Sequence, residues 1–257
     1  MIRILRTGNW TPSQVRITWS LNTRQIITKV ESAIETAWQT ALARPGVHLF
    51  DGPMCRLESW TATDDQLNLT LSKSNYKTFL GTNMAHPEFA DQFGPQVMAN
   101  PLGVSPALRT SDGYILLGRR NASVAYYPGR VHPFAGSMEP TDADPFAAIF
   151  RELHEELSLG ENEIRDIRCT GIAQDQSLRQ PELIFAAASG RSRAQIEASL
   201  DPVEHHAMWS MPASANAIAN ATVNDQTLTP VAVAALVLWG RIEFGQNWFD
   251  ETIRLAC

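Results

Sequence analysis

The chain has 257 residues, of which 44% are hydrophobic and 19% charged, and its net charge is −6; this is the profile of a soluble globular protein with length for one large or two modest cores. The acidic balance excludes a nonspecific binder of nucleic acid or of acidic membranes, whose affinity comes from Lys and Arg. An anionic substrate would need local positive charge or a metal.

Cys55, Cys169 and Cys257 are odd in number and widely spaced, with no CxxC, so they read as reduced thiols rather than a disulfide frame or a zinc site. The opening MIRILRTGNW lacks the apolar core of a signal peptide, and the longest apolar run, 231–239, is too short to span a bilayer. A cytoplasmic protein is expected. Val15, Ile17 and Trp19 alternate with polar residues as in a half-buried strand, and residues 26–42 follow a helical period that Pro45 and Gly46 stop. Leu67, Leu69 and Leu71 alternate again, and residues 75–80 open a short helix. His48 and His86 stand alone and read as structural or exposed. The Pro and Gly density of NPLGVSP, 100–106, marks a connection, which divides the chain into a small α/β unit, 1–103, and a second unit, 104–257.

In the second unit the segment 114–117 is an apolar strand ended by Arg119 and Arg120, which are either solvated, as position alone slightly favours, or face a phosphate. Strands are expected at 167–173, 183–188 and 203–212, and a buried helix from Thr229 to Trp239. Strands and helices intermingle without a regular βαβ rhythm, so the fold class is α+β with a mixed sheet between helices.

The central element is a helix opened by Asp144 and Pro145, a capping side chain followed by a proline at the first helical position. Phe146, Ile149, Phe150, Leu153 and Leu157 give it one apolar face. RELHEEL, 151–157, then sets Glu152, Glu155 and Glu156 on a stripe beside that face. Glu152 and Glu156 are like charges four apart near the C-terminal end, which costs about 0.2–0.5 kcal/mol. Such a run either solvates a surface helix or holds a divalent cation, since Mg²⁺ takes hard oxygen ligands and bridges carboxylates to phosphates.

Gly136, the loop after it and RELHEEL resemble the Nudix box, G-x5-E-x7-REUxEExGU, where U is a bulky aliphatic residue. Arg151, Glu152, Leu153, Glu155, Glu156 and Leu159 match position by position; Asp142 stands for the first Glu, eight residues precede Arg151, and Ser158 replaces the second Gly. HLFDG at 48–52, YKTFLGTN at 76–83, NPLGV at 100–104 and AGSMEP at 135–140 are similar to the UDP-glucose pyrophosphatase branch. The resemblance implies a Nudix-type α/β/α sandwich preceded by a smaller domain, and hydrolysis of UDP-glucose or UDP-galactose to UMP and sugar 1-phosphate with Mg²⁺ or Mn²⁺. It also implies metal ligation by Glu152, Glu155 and Glu156 with the backbone of Ala135 or Gly136. Glu152 or Glu204 becomes the general base, and Arg151 an orienting partner. The first unit then borders the site, with Tyr76, Phe79 and Asn83 as substrate contacts. His154, His205 and His206 read as bystanders, because Mg²⁺ prefers oxygen. The alternatives are a Nudix hydrolase of another nucleoside diphosphate derivative such as ADP-ribose, and a Nudix-fold binding module without chemistry.

Overall fold

The computed structural model describes residues 1–44 and 49–256. Pro45, Gly46, His48 and Cys257, each named above, lie outside the described residues. In chain order the strands and helices are β1 (Ile2–Trp10), β2 (Val15–Trp19), α1 (Thr28–Leu42), β3 (Pro53–Ala62), β4 (Leu67–Asn75), α2 (Tyr76–Phe79), α3 (Phe89–Phe93), β5 (Gly103–Arg109), β6 (Tyr114–Arg120), β7 (Val131–His132), β8 (Gly136–Ser137), α4 (Pro145–Leu157), β9 (Ile164–Asp175), β10 (Gln180–Ser189), α5 (Arg193–Glu197), β11 (His205–Pro212), α6 (Ala215–Asn224), α7 (Pro230–Phe244) and α8 (Gln246–Ala256).

Eight strands form one mixed sheet in the order β1-β9-β10-β5-β6-β11, with β7 paired to β6 and β8 to β5. The pair β10 and β5 is parallel, and its other ladders are antiparallel. Between β5 and β6 the sheet pairs only at Leu108 and Arg109. Beyond that point the two strands separate and take β8 and β7 as partners instead, which opens the sheet where the RELHEEL helix docks. α4 covers one face through Phe146, Ile149, Leu153 and Leu157. α7 covers the other, with nine buried residues from Val231 to Gly240. No described helix is long and apolar enough to cross a membrane.

The second sheet, β2-β4-β3, is small. Its Leu57, Leu67, Leu69 and Leu71 share one core with Leu153 of α4 and Phe185 of β10. Backbone bonds stitch it in place: Leu102 N–H donates to Cys55 O, Cys55 N–H to Met138 O, and Met138 N–H to Leu102 O. The expected division at residue 103 is therefore not a division between cores. β1 lies in the large sheet against β9, and apolar burial joins the small sheet to α4. The connection expected at 100–106 is largely strand β5, buried from Gly103 to Leu108.

Candidate active site

α4 starts as its sequence dictates. The Asp144 carboxylate accepts from the N–H groups of Phe146 and Ala147 at 2.8 and 2.9 Å, satisfying two of the orphan donors of the first turn. The helix ends at Ser158, left-handed at φ 52°, the conformation a glycine adopts without strain. The irregular loop before it closes on Asp142. That carboxylate accepts from Glu139 N–H at 2.7 Å and takes the fork of Arg151 at 3.1 Å on each oxygen. Arg151 also donates to Glu152 at 2.7 Å and to Ser137 O at 3.1 Å. Arg151 is thus the peg that fixes the loop against the helix, with Asp142 as its main partner. A side chain at Gly136 would collide with the Glu152 carboxylate, so the glycine lets that carboxylate reach the backbone.

A cleft of about 630 Å³ opens over this helix. Glu152, Glu155, Arg151, Ala135 and Gly136 line it from one side, Glu204 and Arg120 from the β6–β11 end, and Tyr76 and Phe79 from the first hundred residues. Glu156 lies behind Glu152. Both are buried, 7% and 8% exposed respectively, whereas Glu155 is exposed. Burial pushes the Glu152 carboxyl up to about 7, offset in part by Arg151. Burial, and then the charges of Glu204 and Glu152, hold Glu156 well above the usual carboxylate range. Among the described residues neither oxygen of Glu156 has a hydrogen-bond partner of ordinary geometry, although the Ala135 backbone N–H offsets its rise in part. His205 Nδ1 stands 3.7 Å from Glu156, but burial drives this imidazole down to about 3, so it is neutral and gives no ion pair.

A carboxylate buried without a partner is costly unless something else satisfies it. Among the described residues no three His, Cys, Asp or Glu side chains are gathered closely enough to hold a metal ion alone. The donor set still fits a hard cation that keeps water and phosphate oxygens in its shell: an orphaned buried carboxylate, a second beside it, a third exposed at the rim, and backbone carbonyls at Ala135 and Gly136.

Two expectations change. Asn83 is fully buried and its amide is consumed within the fold, donating to Leu178 O at 2.9 Å and accepting from Asn100 N–H at 3.1 Å. It ties two segments together and does not line the cleft. Arg120, read as solvated, is 3% exposed. Its guanidinium lies 4.5 Å over the Tyr126 ring, its Nε donates to Tyr126 O, and its Nη1 stands 3.9 Å from Glu204 with no hydrogen-bond partner among the described residues. Arg120 and Tyr126 line the cleft; for Arg120 this is the phosphate-facing alternative that position alone did not favour, and Tyr126 gave no signal in the sequence. His154 and His206 are exposed, and His86 stacks on Phe89.

No family model matches the chain. It is 27% identical to the uridine diphosphate glucose pyrophosphatase NUDT22 of Homo sapiens, across 83% of this chain and 82% of that one. Its identity to the protein of the same name from Bos taurus is 29%, across 83% and 86%. The NUDIX domain of Shewanella oneidensis NrtR complexed with ADP ribose superposes with a TM-score of 0.39 at 18% identity, covering 63% of this chain and 99% of that one. With its carboxylate helix on an opened mixed sheet and relatives matched over most of their length, the chain resembles the Nudix hydrolases. Within that superfamily its likeness runs to UDP-glucose pyrophosphatases.

Proposed function

We propose that the protein hydrolyses the diphosphate of a nucleotide sugar, UDP-glucose or UDP-galactose, to UMP and sugar 1-phosphate with the help of Mg²⁺ or Mn²⁺. The observation that carries the reading is the Glu156 carboxyl, buried behind Glu152 with no hydrogen-bond partner among the described residues, next to a cleft that both halves of the chain line. Glu152, Glu155, Glu204 and Glu139 outnumber Arg120 and Arg151 along that cleft, and such a floor repels a diphosphate unless a cation intervenes. Glu152, Glu155 and Glu156 would hold the ion, with the carbonyl of Ala135 or Gly136. When bound, it offsets the charge of the diphosphate and acidifies a water.

The other steps fall to the chain's own groups. Arg120, which lines the cleft with its Nη1 3.9 Å from Glu204, is placed to exchange that ion pair for a phosphate oxygen and orient it. Glu204, about half exposed at the cleft wall, or Glu152 takes the proton from the attacking water. Arg151 keeps the loop that carries Ala135 and Gly136 in register with α4. The names of the relatives support the substrate class, as does the breadth of the match beyond the box itself. A small-molecule substrate in a reducing cytoplasm is also in keeping with Cys55 and Cys169, which are buried free thiols.

The test is product analysis. The protein is incubated with UDP-glucose, UDP-galactose and ADP-ribose, with Mg²⁺ and with a chelator, and the products are separated by chromatography. UMP and sugar 1-phosphate formed only with the metal are expected. Release of free sugar and UDP, or turnover that ignores the chelator, would overturn the reading.

A further inference from the structure

We propose that Phe50 is the platform on which the nucleobase of the substrate stacks. This rests on the nucleotide-sugar reading above and assigns the base end of the same cleft.

The cleft carries four aromatic side chains, and three are already engaged. Tyr76 stands edge-on to Trp38 and Phe79, with ring centroids 6.4 and 6.2 Å apart. Phe79 is 2% exposed and meets Tyr126 edge-on, so it belongs to the core more than to the cleft. Tyr126 spends one face on the Arg120 guanidinium and its edges on Tyr127 and His132. Phe50 differs. It lines the cleft, yet it is 79% exposed and among the described residues has no aromatic or cation partner. Val203, 74% exposed on the same cleft, shares the exposure but offers no π face.

The ring is also held in place. The Asp51 carboxylate accepts from Lys77 N–H at 2.8 Å and from the Asn75 amide at 3.1 Å, and Gly52 O accepts from Tyr76 N–H at 2.9 Å. The two residues after Phe50 are thereby fastened to the start of α2. The Phe50 ring lies over Gly52, where a side chain would stand 3.5 Å from it. A large apolar ring kept out of the core at the wall of a charged cleft forgoes the burial it ordinarily seeks. A nucleoside diphosphate supplies what both parts lack, anionic oxygens for the floor and a flat face for the ring. Every base has a π face, so the platform gives affinity rather than base choice.

The experiment titrates the full chain in Mg²⁺ buffer with UMP and with ribose 5-phosphate, which has the phosphate and sugar but no base. Phe50→Ala should weaken UMP binding by about 5- to 100-fold and leave ribose 5-phosphate unchanged, while Phe50→Trp restores UMP. In turnover, Phe50→Ala should raise KM for UDP-glucose and for ADP-glucose by similar factors with kcat held, as loss of uniform binding does. Wild-type affinity for UMP in Phe50→Ala overturns the proposal, and so does an equal loss for ribose 5-phosphate. A wild-type protein that binds UMP through Phe50 but cleaves no nucleotide sugar overturns the functional reading and leaves the stacking platform standing.

Discussion

α4 and α7 do the same structural work on opposite faces of one sheet, and they do it with different chemistry. α7 buries nine residues, all of them apolar or glycine, and has no charged residue until Arg241. α4 buries eight, two of which are glutamates. A helix whose only task is to cover a sheet has no reason to bury a carboxyl that no described residue satisfies, because each such group costs more than the apolar contact it displaces. The difference separates a helix whose buried face is wholly apolar from one that keeps two acids within it.

The largest effect that can break this comparison is on turnover. Glu156→Gln keeps the size and helix propensity of the side chain and removes a buried carboxyl that has no hydrogen-bond partner among the described residues. The metal-free protein should unfold at the same or a higher urea concentration, while turnover of UDP-glucose falls by roughly two to three orders of magnitude, the usual cost of losing one group that stabilises developing charge. Parallel loss of stability and activity would make α4 a packing helix after all. On the other face the signs should reverse. Leu236→Ala, at a fully buried position of α7, is expected to cost about 2–5 kcal/mol in urea unfolding, with kcat per folded molecule unchanged.

A third buried carboxyl sharpens the contrast by lying on the sheet itself. Glu182 on β10 is pushed up to about 8 by burial, with a hydrogen bond from the Ser105 hydroxyl at 3.1 Å as partial relief. Its folded value lies above its unfolded one, so between about pH 4.5 and 8 the unfolded chain releases a proton that the folded chain keeps. Stability should fall as pH rises through that window and be unpenalised below it. Glu182→Gln should flatten this slope and raise stability at pH 8 on the order of 2 kcal/mol. Unfolding of both proteins at pH 4 and pH 8 measures it, and equal slopes would show that Glu182 ionises freely in the fold.

α4 was legible because its signals are local: a cap, a proline, an apolar period and acids at helical spacing. α7 was legible for the same reason, as an apolar run of helical length. β5 was not. Its Pro106 and Gly103 read as a connection, but Pro106 sits between Val104, paired to β8, and Leu108, paired to β6, where that edge of the strand has no ladder partner and a missing N–H is tolerated. β1 was hidden too, since Ile2 and Ile4 alternate with arginines over too short a span to decide between strand and tail. Within the site, the acids and Gly136 could be read from spacing. Arg120 could not, because its burial depends on Tyr126, six residues on in an irregular loop that folds back over it. Asn83 misled in the opposite direction: a polar residue in a shared motif served a buried junction between Leu178 and Asn100.

The pairing of β1 with β9 sets a timetable. Ile2 to Trp10 find their partners at Cys169 to Asp175, and the Arg241 guanidinium of α7 donates to Gly8 O in the same strand. On the ribosome this strand emerges long before anything it can pair with, and it must wait while the small sheet and α4 are made. Contacts so distant along the chain slow folding and leave an unpaired strand exposed to other chains meanwhile. Arg3 and Arg6, interleaved with Ile2, Ile4 and Leu5, place charge along that waiting strand, which is how natural sequences keep an open edge from recruiting a neighbour.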